Sequence, residues 1–94
     1  MKQLFDDISV KSSKIITKKY STSFSLGISL LDSTIQKHIY NIYGFVRLAD
    51  EIVDTFHGYD QEKLLSEFRE DTYKAIERGI SLNPTLHAFQ MSVN

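Results

Sequence analysis

The 94-residue chain contains no cysteine, no tryptophan, one proline and four glycines. Without cysteine there is no disulfide scaffold, no zinc ribbon and no thiol nucleophile, and the composition is compatible with a reducing cytoplasm. Charge of one sign is lacking too. Eleven Lys+Arg stand against 12 Asp+Glu for a formal net charge of -1, which removes the general electrostatic case for nucleic-acid binding. No apolar run approaches the roughly 18 residues that a membrane span needs, and Met1–Asp7 lacks the apolar core of a secretory leader. What is present is an ordinary globular balance, 41% hydrophobic and 24% charged. A chain this short allows one small domain at most, expected to be cytoplasmic and either free-standing or a piece of something larger.

Turn signals are few and apolar residues recur at spacings of three and four, which predicts an all-α chain of about four helices. The first, roughly Asp6 to Tyr20, sets Phe5, Ile8, Ile15 and Ile16 on one side and Lys11, Lys14 and Lys18 on another. Ser21 to Leu31, rich in serine, reads as an irregular connector, because hydroxyl side chains compete with the backbone for hydrogen bonds. Asp32 or Ser33 caps a second helix running to about Phe56. That helix is apolar on nearly every side, from Ile35 through Tyr40, Ile42, Phe45, Val46 and Leu48 to Ile52 and Val53, a pattern that predicts burial all round. Asp60 caps a third helix with a stripe of Leu64, Leu65, Phe68, Thr72, Ala75, Ile76 and Ile80, ending at Gly79. Asn83-Pro84 opens a fourth, with Leu86, Phe89 and Val93 as its apolar face.

Chemistry concentrates on the second helix. Tyr43, Arg47, Asp50 and Asp54 are spaced by four, three and four residues. At about 100° per residue they point within roughly 60° of one another. Ionisable groups on a buried helix cost several kcal/mol each unless paired, bound to metal or facing a wet cavity. Asp50 and Asp54, one turn apart, suit Mg²⁺, which takes only one or two protein carboxylates and completes its octahedron with water and phosphate. They do not suit Zn²⁺, and His38, His57 and His87 show no two-His metal spacing. Arg47 offers a fork to a phosphate oxygen, and a cation beside it would stabilise charge growing on a departing diphosphate. The same spacing also describes an ordinary helix-surface ion pair worth tenths of a kcal/mol, and an Asp-x-x-x-Asp pair alone is a weak motif. Ser21, Ser23 and Phe24 either hold a phosphate at a helix end or merely turn the chain. Lys14, Lys18 and Lys19 either attract an anionic substrate or membrane, or form a solvated face. Tyr40, Phe45 and Phe24 either wall an apolar tunnel or belong to the core.

Ser21-Thr22-Ser23-Phe24 followed by Ile42-Tyr43-Gly44-Phe45-Val46-Arg47-Leu48-Ala49-Asp50-Glu51-Ile52-Val53-Asp54 resembles the N-terminal part of the squalene/phytoene synthase family. The resemblance covers essentially the whole chain. It implies the isoprenoid (terpenoid) synthase fold and a head-to-head prenyltransferase that joins two allylic diphosphates through a cyclopropylcarbinyl diphosphate, with Mg²⁺ holding the diphosphates. Asp50 and Asp54 match the first aspartate-rich motif and would bind Mg²⁺. Arg47 and Tyr43 match the diphosphate-contacting arginine and active-site tyrosine. Ser21, Ser23 and Phe24 match a Ser-x-Ser-Phe element whose hydroxyls face diphosphate and whose ring lines the pocket. Gly44 to Glu51 is similar to the bacterial carotenoid enzymes, implying two C20 diphosphates, with squalene-type C15 condensation as the alternative.

The family's second aspartate-rich motif has no counterpart here. The remaining acids, Asp60, Glu62, Glu67, Glu70, Asp71 and Glu77, fall on the cap and outer face of the third predicted helix. The chain is therefore expected to be an N-terminal fragment, residues 1–94 of a longer domain, inactive alone. Its implied partners are a prenyl diphosphate, the remainder of the same enzyme and, for a lipid product, the membrane periphery. A non-catalytic helical interaction module and a Mg²⁺-diphosphate binder without catalysis stand as the other readings.

Overall fold

The computed structural model describes residues 1–94 as five helices with no strand: α1 (Lys2–Tyr20), α2 (Thr22–Ser29), α3 (Ser33–Asp54), α4 (Gln61–Arg78) and α5 (Pro84–Val93). The all-α expectation holds. The caps of the last two helices are where the sequence puts them. The Asp60 carboxylate accepts from Lys63 N–H at 3.1 Å, Gly79 adopts the left-handed conformation with φ 70°, and Asn83 accepts from Thr85 N–H at 3.0 Å ahead of Pro84. The helix predicted from Asp32 is α3, with the Asp32 carboxylate accepting from Thr34 N–H at 2.9 Å. No helix is long and apolar enough to cross a membrane.

Three expectations are corrected. The serine-rich stretch is not an irregular connector but contains α2, which makes five helices rather than four. Its hydroxyls support the helix: Ser21 Oγ caps the first turn by accepting from Phe24 N–H, and Ser29 Oγ donates to the Leu26 carbonyl at 2.6 Å. The inward face of α1 is not an isoleucine face. Ser9, Ser13 and Thr17 are its fully buried residues, while Ile8 and Ile15 are exposed. These small side chains, four residues apart, let α1 lie close against α3; a Cβ on Gly44 would sit 3.0 Å from Ser13 Cβ and 3.1 Å from Ser13 Cα. Finally, α3 is not covered all round. Tyr40, Asn41, Gly44 and Ile52 are buried, but Ile35, Ile42, Val46 and Val53 are exposed, because α1 and α5 cover only one side of it.

The core is small and centres where α1, α3 and α5 meet, on Leu86, Ala88, Tyr40 and Ile52. An unanticipated polar tie anchors α1 to α5. His87 is fully buried, its Nε2 lies 2.6 Å from Asp6 Oδ1, and its Nδ1 accepts from Ser81 N–H at 3.3 Å. With Nδ1 accepting, the proton belongs on Nε2, facing the carboxylate. Helix α4 leans on this group through Ala75 and the stacked rings of Phe68, Phe45 and Phe89, leaving Leu64, Leu65 and Ile80 of its predicted stripe exposed.

Candidate functional site

The site forms where the α1–α2 corner lies over α3. Ser21 ends α1 in an extended conformation (φ -151°, ψ 96°), its N–H bonded to the Thr17 carbonyl, and the same residue caps α2. One residue therefore makes the bend that sets Tyr20 on one side of the corner and Phe24 on the other. The Tyr20 ring lies over the Arg47 guanidinium at 4.3 Å, and the Phe24 ring meets that of Tyr43 at 4.7 Å. The predicted stripe is thus roofed by two aromatic side chains from another part of the chain.

Arg47 is the hub. Its Nη2 donates to Glu51 Oε2 at 2.8 Å, and its Nη1 stands 3.9 Å from both Asp50 Oδ2 and Asp54 Oδ2. The first is a charge-assisted hydrogen bond and the other two are looser ion pairs. Covering separates these carboxylates: the Glu51 side chain is 14% exposed, against 56% for Asp50 and 65% for Asp54. Glu51 holds the guanidinium, while Asp50 and Asp54 keep oxygen lone pairs open to solvent.

Sequence reasoning missed Tyr20 and Glu51. Glu51 falls outside the narrow stripe, but its four-residue spacing from Arg47 is the ion-pairing signal that would have found it. Nothing local marks Tyr20, which arrives through the bend at Ser21. The Thr55 hydroxyl and the Tyr20 phenol, assisted by Arg47, hold the Glu51 carboxyl below the usual carboxylate range against the opposing effect of burial. Reciprocally, the bond to Glu51, burial and the Glu51 charge push the Tyr20 phenol above its ordinary value.

The sequence-assigned residues come together in part. Tyr43, Arg47 and Asp50 line, with Tyr20 and Val46, a cleft of about 250 Å³. Phe24 closes on Tyr43, and Asp54 joins through Arg47. The Ser21 hydroxyl accepts from Phe24 N–H at 3.2 Å, so it serves as a helix cap, and Ser23 is exposed. Of the three aromatic residues weighed as tunnel walls, Tyr40 is core and Phe45 stacks on Phe68 and Phe89; Phe24 alone joins the cleft. The cleft is smaller than the roughly 300–1,000 Å³ typical of organic ligands.

No group of three or more His, Asp or Glu side chains forms a metal cage. Two solvent-facing carboxylates one turn apart nonetheless fit Mg²⁺, whose remaining positions are filled by water and phosphate oxygen. The guanidinium between them already occupies the place of a cation.

The cleft thus combines an arginine held among three carboxylates, Glu51, Asp50 and Asp54, with a roof of Tyr20 and Phe24 in an all-helical fold. The family model for squalene/phytoene synthase matches residues 17–94, and the chain belongs to that family, prenyltransferase-type proteins of the helical terpenoid synthase fold. No curated protein and no solved structure matches the chain.

Proposed function

We propose that the chain supplies the first aspartate-rich half of a Mg²⁺-dependent head-to-head prenyl synthase of phytoene type, acting on two C20 prenyl diphosphates. The observation that carries this reading is the convergence of Asp50 and Asp54 on Arg47 beneath the Phe24–Tyr43 pair, in a member of this family. Asp50 and Asp54 would hold Mg²⁺, which when bound neutralises diphosphate oxygens and stabilises the charge of the leaving group. Arg47 takes a further phosphate oxygen through the fork edge that Glu51 leaves free, and Glu51 and Tyr20 keep that fork oriented. Phe24 and Tyr43 exclude water from the carbon end of the headgroup. The sequence carries no second aspartate-rich motif to oppose this one, so on this reading another polypeptide segment would supply the opposing half of the cavity, and the 94 residues alone are expected to give no condensation product.

Backbone-amide NMR of the chain, titrated with Mg²⁺ and a non-hydrolysable geranylgeranyl diphosphate analogue, tests the assignment. The expected result is Mg²⁺-dependent shifts over residues 43–54, weakened roughly tenfold or more in Asp50→Asn and Asp54→Asn, as loss of one strong charge contact implies. Shifts independent of Mg²⁺, or unchanged in both variants, overturn it. A farnesyl diphosphate analogue binding in preference would move the reading to squalene-type chemistry.

A further inference from the structure

The charged groups at the cleft all stand on α3, and they are unevenly matched. Three carboxylates, Glu51, Asp50 and Asp54, share one guanidinium. No other basic side chain pairs with these acids or lines the cleft. Arg47 is not free to step aside, because Glu51 holds its Nη2 edge at 2.8 Å and the Tyr20 ring covers its face at 4.3 Å. Its other nitrogen, Nη1, is left 3.9 Å from one oxygen of Asp50 and 3.9 Å from one of Asp54. A magnesium ion lies about 2.1 Å from each oxygen that ligates it, so an ion ligated by those two oxygens would have Nη1 within about 6 Å. Two opposing demands follow. A dication arriving alone meets a fixed positive charge beside its own ligands, and a diphosphate arriving alone meets three carboxylates behind a single guanidinium. Arriving together they satisfy the site, because phosphate oxygens neutralise both cations and the dication separates the anion from the carboxylates.

We propose that Arg47 is a resident counter-cation that makes capture of a divalent metal by Asp50 and Asp54 conditional on the diphosphate, and capture of the diphosphate conditional on the metal. This rests on the assignment of the two aspartates to Mg²⁺ and goes beyond it, since it concerns the order in which the site fills. The empty site holds neither ligand tightly, and only the metal–diphosphate pair fills it. Linkage makes the coupling reciprocal: whatever factor the diphosphate adds to the affinity for metal, the metal adds to the affinity for diphosphate. A unit charge about 6 Å from a dication, even with the full screening of water, changes its affinity roughly tenfold. The effect arises from distances within one helix, pinned by Glu51 and Tyr20, and needs no open face elsewhere on the chain.

Amide NMR of the 94-residue chain tests it, with Mg²⁺, inorganic diphosphate and the two together titrated separately and affinities referred to free Mg²⁺. In the parent chain the Mg²⁺ affinity read from residues 47–54 is expected to rise roughly tenfold or more when diphosphate is present. Arg47→Gln is expected to bind Mg²⁺ alone roughly tenfold more tightly than the parent and to lose most of the gain from diphosphate. Arg47→Lys keeps the charge and is expected to behave like the parent. Adding Asp50→Asn to Arg47→Gln should abolish the tightened metal binding. Metal binding by the parent that is the same with and without diphosphate, binding no tighter in Arg47→Gln than in the parent, or an Arg47→Lys chain that behaves as Arg47→Gln does, overturns the proposal and leaves the aspartate assignment standing. Tight metal binding that survives Asp50→Asn in the Arg47→Gln background removes the aspartate assignment, and the proposal falls with it. If Arg47→Gln loses helicity by circular dichroism, the parent and Arg47→Lys decide the outcome through their affinities with and without diphosphate.

Discussion

Glu51 shows how one side chain can govern a site whose chemistry belongs to others. It holds Arg47 at 2.8 Å and shares the Tyr20 phenol, so the guanidinium is fixed from the edge by one residue and from the face by the other. The titrations of Glu51 and Tyr20 are displaced in opposite directions. The carboxyls of Glu51 and Asp6 are depressed in the folded chain, Asp6 chiefly by its hydrogen bond to His87 and then by Lys2. Their stabilisation is present above the ordinary carboxylate range and is lost as pH falls through their folded values. The Tyr20 phenol is raised, so its contribution is present below the ordinary phenol range and disappears as pH climbs through its folded value. Urea midpoints followed by circular dichroism are expected to be flat near neutrality and to fall at both extremes. In Glu51→Gln the acid limb shallows, and the Tyr20 phenol ionises at lower pH in the alkaline absorbance titration than it does in the parent chain. A variant with an unchanged tyrosine titration would show that Glu51 does not hold the phenol.

Among the elements, the crossing of α1 on α3 is the one that sequence patterning hides. A glycine within a helix ordinarily costs about 1 kcal/mol relative to alanine, so Gly44→Ala on an open helix would stabilise. Here the added Cβ meets Ser13 at 3.0 Å and its backbone at 3.1 Å. Gly44→Ala is therefore expected to destabilise by about 1–3 kcal/mol, and Ser13→Gly, which removes the side-chain contact but not the backbone one, is expected to make that loss smaller when the two are combined. Urea denaturation of the four proteins measures the coupling; additive effects would deny the contact. The elements readable in advance were those whose limits rest on local chemistry, namely Asp60 and Gly79 for α4, Asn83 and Pro84 for α5, and the four- and three-residue steps that align Tyr43, Arg47, Asp50 and Asp54. What could not be read depends on tertiary approach. Ser9, Ser13 and Thr17 are polar by any scale yet form the buried face of α1, since what matters there is their small size. Ser9 and Thr17 return their hydroxyl protons to the Phe5 and Ser13 carbonyls at 2.8 and 2.9 Å. The serines of α2 argued against a helix for the same local reason, and Tyr20 reaches Arg47 only once the chain has bent at Ser21.

For the whole molecule, the exposed area of 6282 Å² exceeds by roughly an eighth the 5,500 Å² or so expected of a compact monomer of this mass. Fewer apolar than polar residues are buried, six against eight, so little hydrophobic stabilisation offsets the conformational entropy of 94 residues. The unfolding free energy is expected near or below about 5 kcal/mol. Leu86, fully buried at the meeting of three helices, carries a large share of it. Leu86→Ala is expected to remove about 2–5 kcal/mol and to leave the chain largely unfolded at ambient temperature by circular dichroism. A cooperative, native-like transition in that variant would place the centre of the core elsewhere. The close seat of Ser13 on Gly44 has one more consequence, which concerns chain length. From that contact the chain runs eight residues along α1 to Ser21 and six along α3 to Asp50, both without a loop. One residue inserted into either run would turn everything beyond it by about 100° and advance it about 1.5 Å, carrying Tyr20 off Arg47 or the aspartates out from under Phe24. Those two runs must keep their length, whereas the segment between Thr55 and Asp60, which joins α3 to α4, can lengthen without moving a single residue of the cleft.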